Sequence, residues 1–315
     1  MRGIGVIFGV VVAGWAALAA SGDTPLLVGG ANSDNILIRD ADAGTCDQVF
    51  ADPNDGLTSS RTITPTPFGT ILVSGYFNSD GVREFDATTG ALIRVLPTLA
   101  SGSGGILFVN TSPPKLLISN GQSINEYSYP TGTFIRTVYS ASPNYVYSML
   151  LDSNDDVLLH DYRQFKRIDY PAGTVLQTVD TPDDECQMRY GPDGNLYVSF
   201  FTADVVRRYN PTTLAGTVFA SGSGLSDPTG IAFHPTTGRL YVASYYSGSI
   251  FVFNSNGSYH DVMLPCPQTD RPISLLFSAS VQYCPERIDG DVNGDRRVDL
   301  LDLALLLTNF GTGCK

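Results

Sequence analysis

From residue 44 to residue 257 a glycine closes a turn every forty-odd residues. The series is Gly44, Gly90, Gly132, Gly173, Gly216 and Gly257, with spacings of 46, 42, 41, 43 and 41 residues. Between successive glycines the chain repeats short apolar strands separated by turn residues. One strand recurs clearly: Leu26-Leu27-Val28-Gly29-Gly30, Leu72-Val73-Ser74-Gly75-Tyr76, Leu117-Ile118-Ser119-Asn120, Leu158-Leu159-His160-Asp161, Tyr197-Val198-Ser199-Phe200 and Tyr241-Val242-Ala243-Ser244. A unit of this length holds a four-stranded sheet, the size of one propeller blade. A lone sheet of four short strands cannot bury both faces, so such units must stack on one another.

The ends of the series say how it closes. In the clearest copy strand A spans about Pro228 to Phe233, B Arg239 to Tyr245, C Ser249 to Asn254 and D Ser258 to Leu264. The first copy begins at strand B, and an orphan apolar strand, Pro272-Ile273-Ser274-Leu275-Leu276-Phe277, follows the last. The orphan therefore reads as the missing strand A of the first blade. Sharing a blade between the chain ends removes two exposed sheet edges. The count gives six blades over residues 24–281, an all-β six-bladed propeller. No helical periodicity precedes residue 299, which argues against α/β enzyme architectures.

Segments such as Asp227-Pro228-Thr229-Gly230-Ile231-Ala232-Phe233-His234-Pro235, followed by Gly238-Arg239-Leu240-Tyr241-Val242-Ala243, resemble NHL-type repeats. They are also similar to propellers of the SMP-30/gluconolactonase and streptogramin-lyase group. The resemblance implies a blade rather than a chemistry. Gluconolactonase-type propellers hold a divalent metal at their centre, and no residue here is assigned to that role.

The tail, residues 285–315, carries a different signal. Residues 291–302 place side-chain oxygens at loop positions 1, 3, 5, 9 and 12: Asp291, Asn293, Asp295, Asp299 and Asp302. Arg297 supplies position 7, which uses a backbone carbonyl. This is the spacing of a 12-residue calcium loop, and a cation relieves the repulsion among its carboxylates. Leu303, Leu306, Leu307 and Phe310 then form one apolar face of a short helix, with Gly311 as its cap. A calcium loop with only the following helix closely resembles one type I dockerin repeat. The resemblance implies calcium as cofactor and a cohesin or cell-surface anchor as partner. The chain departs from that pattern in having one repeat, Arg296 at the usual glycine position, and Leu300-Leu301 where Ser/Thr is common.

Arg2, an apolar run over Ile4–Leu18 and Ala17-Leu18-Ala19 read as a signal peptide over residues 1–20. No second stretch is long enough to span a membrane, so the mature protein is expected to be secreted, or held at the cell surface, without a membrane anchor. Export permits disulfides among the five cysteines. Cys284 and Cys314 bracket the tail module and are expected to clasp it. Cys186 and Cys266 form a candidate second pair, leaving Cys46 free. With 31 acidic against 19 basic residues the formal charge is −12, which excludes nucleic acid as a partner.

Ligands of propellers enter where B-to-C and D-to-A loops open. The B-to-C connections are aromatic: Tyr76-Phe77, Tyr162, Phe200-Phe201 and Tyr245-Tyr246. Such rings stack on sugar faces, with Asn78, Asp80, Asp161, Arg163 and Asp204 near them in sequence for hydroxyl groups; the competing role is packing between blades. His160, His234 and His260 fall at different positions along the blades and form no recognised catalytic motif. The expected function is recognition or scaffolding of a glycan or protein ligand, tethered by the calcium tail. The alternative is a propeller enzyme, a lactonase, polysaccharide lyase or glycoside hydrolase, delivered to polysaccharide by that tail. Inward-facing Asp, Glu, His or Asn would favour the enzyme, and a channel of Ser, Thr and apolar groups would favour binding.

Overall fold

The computed structural model describes residues 24–44, 46–75, 81–96, 104–140, 146–161, 163–181 and 185–279, without the side chains of Cys46, Asp47, Glu185 and Cys186. The leader, Tyr76, Phe77, Tyr162, the calcium loop and the Cys284–Cys314 pairing lie outside the described residues.

The described residues form 24 strands. Blade one holds β1 (Pro25–Gly30), β2 (Ile36–Asp40) and β3 (Cys46–Ala51). Blade two holds β4 (Ser60–Pro65), β5 (Thr70–Gly75), β6 (Val82–Asp86) and β7 (Leu92–Leu96), and blade three β8 (Ile106–Val109), β9 (Lys115–Ser119), β10 (Ser123–Ser128) and β11 (Phe134–Ser140). Blade four holds β12 (Val146–Leu151), β13 (Val157–Asp161), β14 (Gln164–Asp169) and β15 (Thr174–Asp180). Blade five holds β16 (Glu185–Tyr190), β17 (Leu196–Phe200), β18 (Val205–Tyr209) and β19 (Gly216–Ser221), and blade six β20 (Pro228–Phe233), β21 (Leu240–Ser244), β22 (Ile250–Phe253) and β23 (Tyr259–Met263). The last strand, β24 (Pro272–Phe277), returns to blade one.

These strands make six four-stranded antiparallel sheets, and the first has the order β24-β1-β2-β3. The closure expected from the sequence is therefore present. Leu26 faces Phe277, Leu27 faces Leu276, Val28 faces Leu275 and Gly29 faces Ser274.

Burial follows position in the blade. Second strands are covered on both faces by neighbouring blades, so β5 (Thr-Ile-Leu-Val-Ser-Gly) is buried at every residue. Such strands read as apolar runs without alternation. Outer strands meet water, and in β7 four of five residues are exposed. The core consequently lies between blades. One cluster joins Leu27, Ile36 and Ile38 of blade one to Ile63, Ile71, Val73 and Phe85 of blade two.

Each inner strand would leave one edge unpaired, which a sheet cannot do without cost. Small polar side chains answer this at every junction. Ser274 Oγ donates to Ser60 O (2.6 Å) across blades one and two. Thr62 Oγ1 donates to Gly104 O (2.7 Å) across two and three. Ser119 Oγ donates to Val146 O (2.9 Å) across three and four. Met188 N donates to Ser148 Oγ (3.0 Å) across four and five. Ser199 Oγ donates to Thr229 O (2.5 Å) across five and six, and Thr229 Oγ1 to Pro272 O (2.8 Å) back to blade one.

A second set of contacts lies further out. Glu84 of β6 is fully buried and accepts from Thr70 Oγ1 (2.8 Å) and from Tyr129 OH of the next blade (2.5 Å), with Arg94 Nε 3.0 Å away. Glu126 of β10 repeats the device one blade on, with Lys115 Nζ at 2.6 Å and Tyr170 OH at 3.0 Å. Burial pulls the Glu126 carboxyl upward, but hydrogen bonds from Lys115, Tyr170 and Arg136 outweigh it and hold it below its ordinary value. Cys266 is buried and disulfide-bonded.

Gly29 shows how closely the inner strands approach. A Cβ there would lie 2.3 Å from Ser274 Oγ and 2.6 Å from Ser60 O, the two atoms of the closing junction. Gly29→Ala should therefore destabilise the protein by about 1–3 kcal/mol through overpacking, measured by urea unfolding. An unchanged midpoint would show that this junction is loose.

Candidate functional site

The described B-to-C turns and D-to-A connections share one face of the ring, and hydrogen bonds lock them together at three places. Asp34 Oδ1 of the blade-one turn accepts from Ser59 N (2.7 Å), just before β4. Asp204 Oδ1 of the blade-five turn accepts from Asp227 N (2.7 Å), just before β20. Before β24, Asn35 Nδ2 donates to Gln268 O (2.6 Å) and Asn32 Nδ2 to Asp270 Oδ2 (3.0 Å). Ser59, Asp227 and Arg271 take left-handed φ values of 49°, 49° and 55° at equivalent places. This conformation costs a non-glycine residue free energy, so the locking bonds must hold it.

On this face Phe201, Tyr245, Tyr246 and Arg271 come together. The Phe201 and Tyr245 ring centroids are 5.6 Å apart at 69°, and Tyr245 and Tyr246 are 5.1 Å apart at 89°. The Arg271 guanidinium carbon lies 5.3 Å from the Tyr245 centroid and 5.4 Å from that of Tyr246. Edge-to-face rings with a cation beside them are a favourable arrangement. Tyr246 is 63 % exposed, which leaves most of its ring to a ligand. Sequence reasoning found the three rings and missed Arg271. The signal was the residue before the proline that opens an inner strand, Arg271-Pro272 matching Asp227-Pro228.

Phe200 has a different place. It is fully buried and packs with Leu158, Phe165, Tyr209 and Leu214 between blades four and five. Strand alternation sends Phe200 and Phe201 to different environments, so only Phe201 belongs to the face. Asp161 is also buried, bonded to Lys166 Nζ and Tyr139 OH, and is spent on packing.

The central channel is lined by inner strands and encloses about 50 Å³. Its polar lining residues are Thr62, Thr64, Tyr147, Ser148, Gln187, Arg61 and Arg189. Among the described residues that line it there is no Asp, Glu, Asn or His. That volume holds only a few water molecules.

The three histidines do not converge. His160 is fully buried in β13, with Nε2 2.8 Å from Thr181 Oγ1. His234 sits in an A-to-B turn on the opposite face, where Nδ1 accepts from Thr236 N and Thr237 N (3.2 Å each). His260 is exposed on the outer strand β23.

No family model and no curated protein matches this sequence. Solved structures match its fold. A Bacteroides caccae protein of unknown function is 14 % identical, covering 80 % of this chain and 98 % of that one, with a TM-score of 0.64. An inactive virginiamycin B lyase from Staphylococcus aureus, solved with quinupristin, is 15 % identical, covering 68 % and 73 %, with a TM-score of 0.54. A chain of the nidogen/laminin complex is 11 % identical, covering 80 % and 97 %, with a TM-score of 0.64. Identities this low establish the propeller and leave its ligand open.

Burial pulls the His160 imidazole down to about 3. In the unfolded chain it titrates near 6.5, so its contribution is fully present above that pH and is lost as pH falls from about 6.5 toward about 3. Wild-type stability should drop by up to about 1.4 kcal/mol per pH unit from this group within that window. His160→Asn should flatten the slope between about pH 6.5 and 5, read by urea unfolding across pH; an unchanged slope would place the titration elsewhere.

Proposed function

We propose that this chain is an exported recognition propeller that binds an extracellular glycan on its B-to-C/D-to-A face. The observation that carries the reading is the cluster of Phe201, Tyr245, Tyr246 and Arg271, with its exposed Tyr246 ring. A tyrosine face offers apolar area at small entropic cost, and a guanidinium offers hydrogen bonds to hydroxyl or acidic groups beside it. The channel supports binding over catalysis, because its described lining of hydroxyl, amide, guanidinium and apolar groups contains no carboxylate or imidazole to act as acid or base.

A protein ligand is the second reading. Tyr and Arg are also the residues that anchor protein interfaces, and a propeller with this fold occurs in the nidogen/laminin complex. The tail then acts as a tether: Asp291, Asn293, Asp295, Asp299, Asp302 and the Arg297 carbonyl hold calcium and dock the chain on a cohesin-like or cell-surface partner.

A glycan array probed with the full mature chain separates these readings. Glycan binding should weaken by about tenfold or more in Tyr246→Ala, without loss of thermal stability because the ring is exposed. Binding that is equal in wild type and Tyr246→Ala would move recognition off this face. Absence of all glycan binding would leave the protein-ligand reading.

The tether has its own test. Calorimetry should show calcium uptake by the full chain and its loss in Asp291→Ala/Asp302→Ala, with glycan binding kept. Equal uptake by both chains would remove the loop assignment.

A further inference from the structure

Arg189 leaves β16 and reaches across the channel. Its Nε donates to Ile231 O of β20 (3.2 Å) and its Nη2 to Leu275 O of β24 (3.1 Å). A guanidinium carries five N–H donors, so the two contacts leave three, including both on Nη1, without an acceptor among the described residues. Among the described residues no carboxylate pairs with it. Gln187 lies two residues earlier, at 9 % exposure. Its Oε1 accepts from Ile231 N (2.8 Å), which fixes the amide and leaves Nε2 without an acceptor among the described residues. Ser148 Oγ accepts from Met188 N, and its own proton has no acceptor among the described residues.

All three residues line the same cavity of about 50 Å³, together with the Arg61 guanidinium, which lies 4.7 Å above the Tyr147 ring. Among the described residues, Arg189, Gln187 and Ser148 thus bring donors in excess of acceptors, and no described carboxylate pairs with Arg189. Arg189 is half-buried, and a guanidinium partly withdrawn from water without a counter-charge is costly. Burial alone pulls the Arg189 guanidinium down to about 10, so it is still a cation at neutral pH.

We propose that the central channel is a binding site for a small monovalent anion, of halide or formate size, held by Arg189 Nη1, Gln187 Nε2 and Ser148 Oγ. The cavity accommodates about four water-sized positions, which admits such an ion and excludes a sugar acid. Its donor set also contrasts with the divalent cation held at the centre of gluconolactonase-type propellers. Bound anion would neutralise Arg189 and join blades four and five to the carbonyls of blades six and one. It acts independently of glycan recognition on the outer face.

The test is the thermal midpoint of the full chain in sodium chloride, sodium formate and sodium gluconate at equal ionic strength, gluconate being too large for the cavity. Chloride or formate should raise the midpoint by about 5 °C at saturation relative to gluconate. Gln187→Glu keeps an oxygen for Ile231 N and places a fixed carboxylate beside Arg189. This variant should fold, match or exceed the wild-type midpoint in gluconate, and lose the response to chloride and formate. Arg189→Gln should lose the response as well. Equal wild-type midpoints in all three salts, or a full anion response in Gln187→Glu, would overturn the proposal.

Discussion

Six inner strands in a ring each present an open edge to their neighbours and to the axis, and the structure depends on how those edges are satisfied. Hydroxyl side chains of one blade bond the inner strand of the next at all six junctions, from Ser274–Ser60 round to Thr229–Pro272. Each such bond contributes only about 1 kcal/mol net, while an unsatisfied buried group costs more. Six repeated bonds also fix the height of each blade relative to the next. This explains Ser74, Ser119 and Ser199 in otherwise apolar second strands, where a Val or Leu would fill the space and leave the edge bare.

Much of this was legible in the sequence because it repeats. The spacing of closing glycines gave the blade length, and the orphan strand Pro272–Phe277 could pair only where a strand was missing. Strand β20 begins and ends where periodicity placed it, and its neighbours differ by a residue or so. Individual side chains were less legible. Phe200 and Phe201 are adjacent and chemically alike, and only the register of β17 decides which is buried. Arg189 stands between Met188 and Tyr190 like any residue of a strand. Its crossing to Leu275 spans 86 residues of sequence and follows from ring closure, which no local pattern encodes.

The two halves of the functional reading rest on different physics. On the face, conformationally strained residues before the inner strands are held by turn carboxylates and amides, and the rings beside them gain a fixed orientation before any ligand arrives. Pre-organisation of this kind lowers the entropic cost of binding. Inside, the channel is narrow and lined by hydroxyl, amide, guanidinium and apolar groups.

The edge-satisfaction account is tested most directly by amide hydrogen exchange at Met188 and Ile231, whose N–H groups point away from their own sheets to Ser148 Oγ and Gln187 Oε1. In the wild type both amides should exchange as slowly as those of the second strands. In Ser148→Ala the Met188 amide alone should become fast while its neighbours stay protected. Fast exchange of either amide in the wild type, or unchanged protection of Met188 in the variant, would contradict the account.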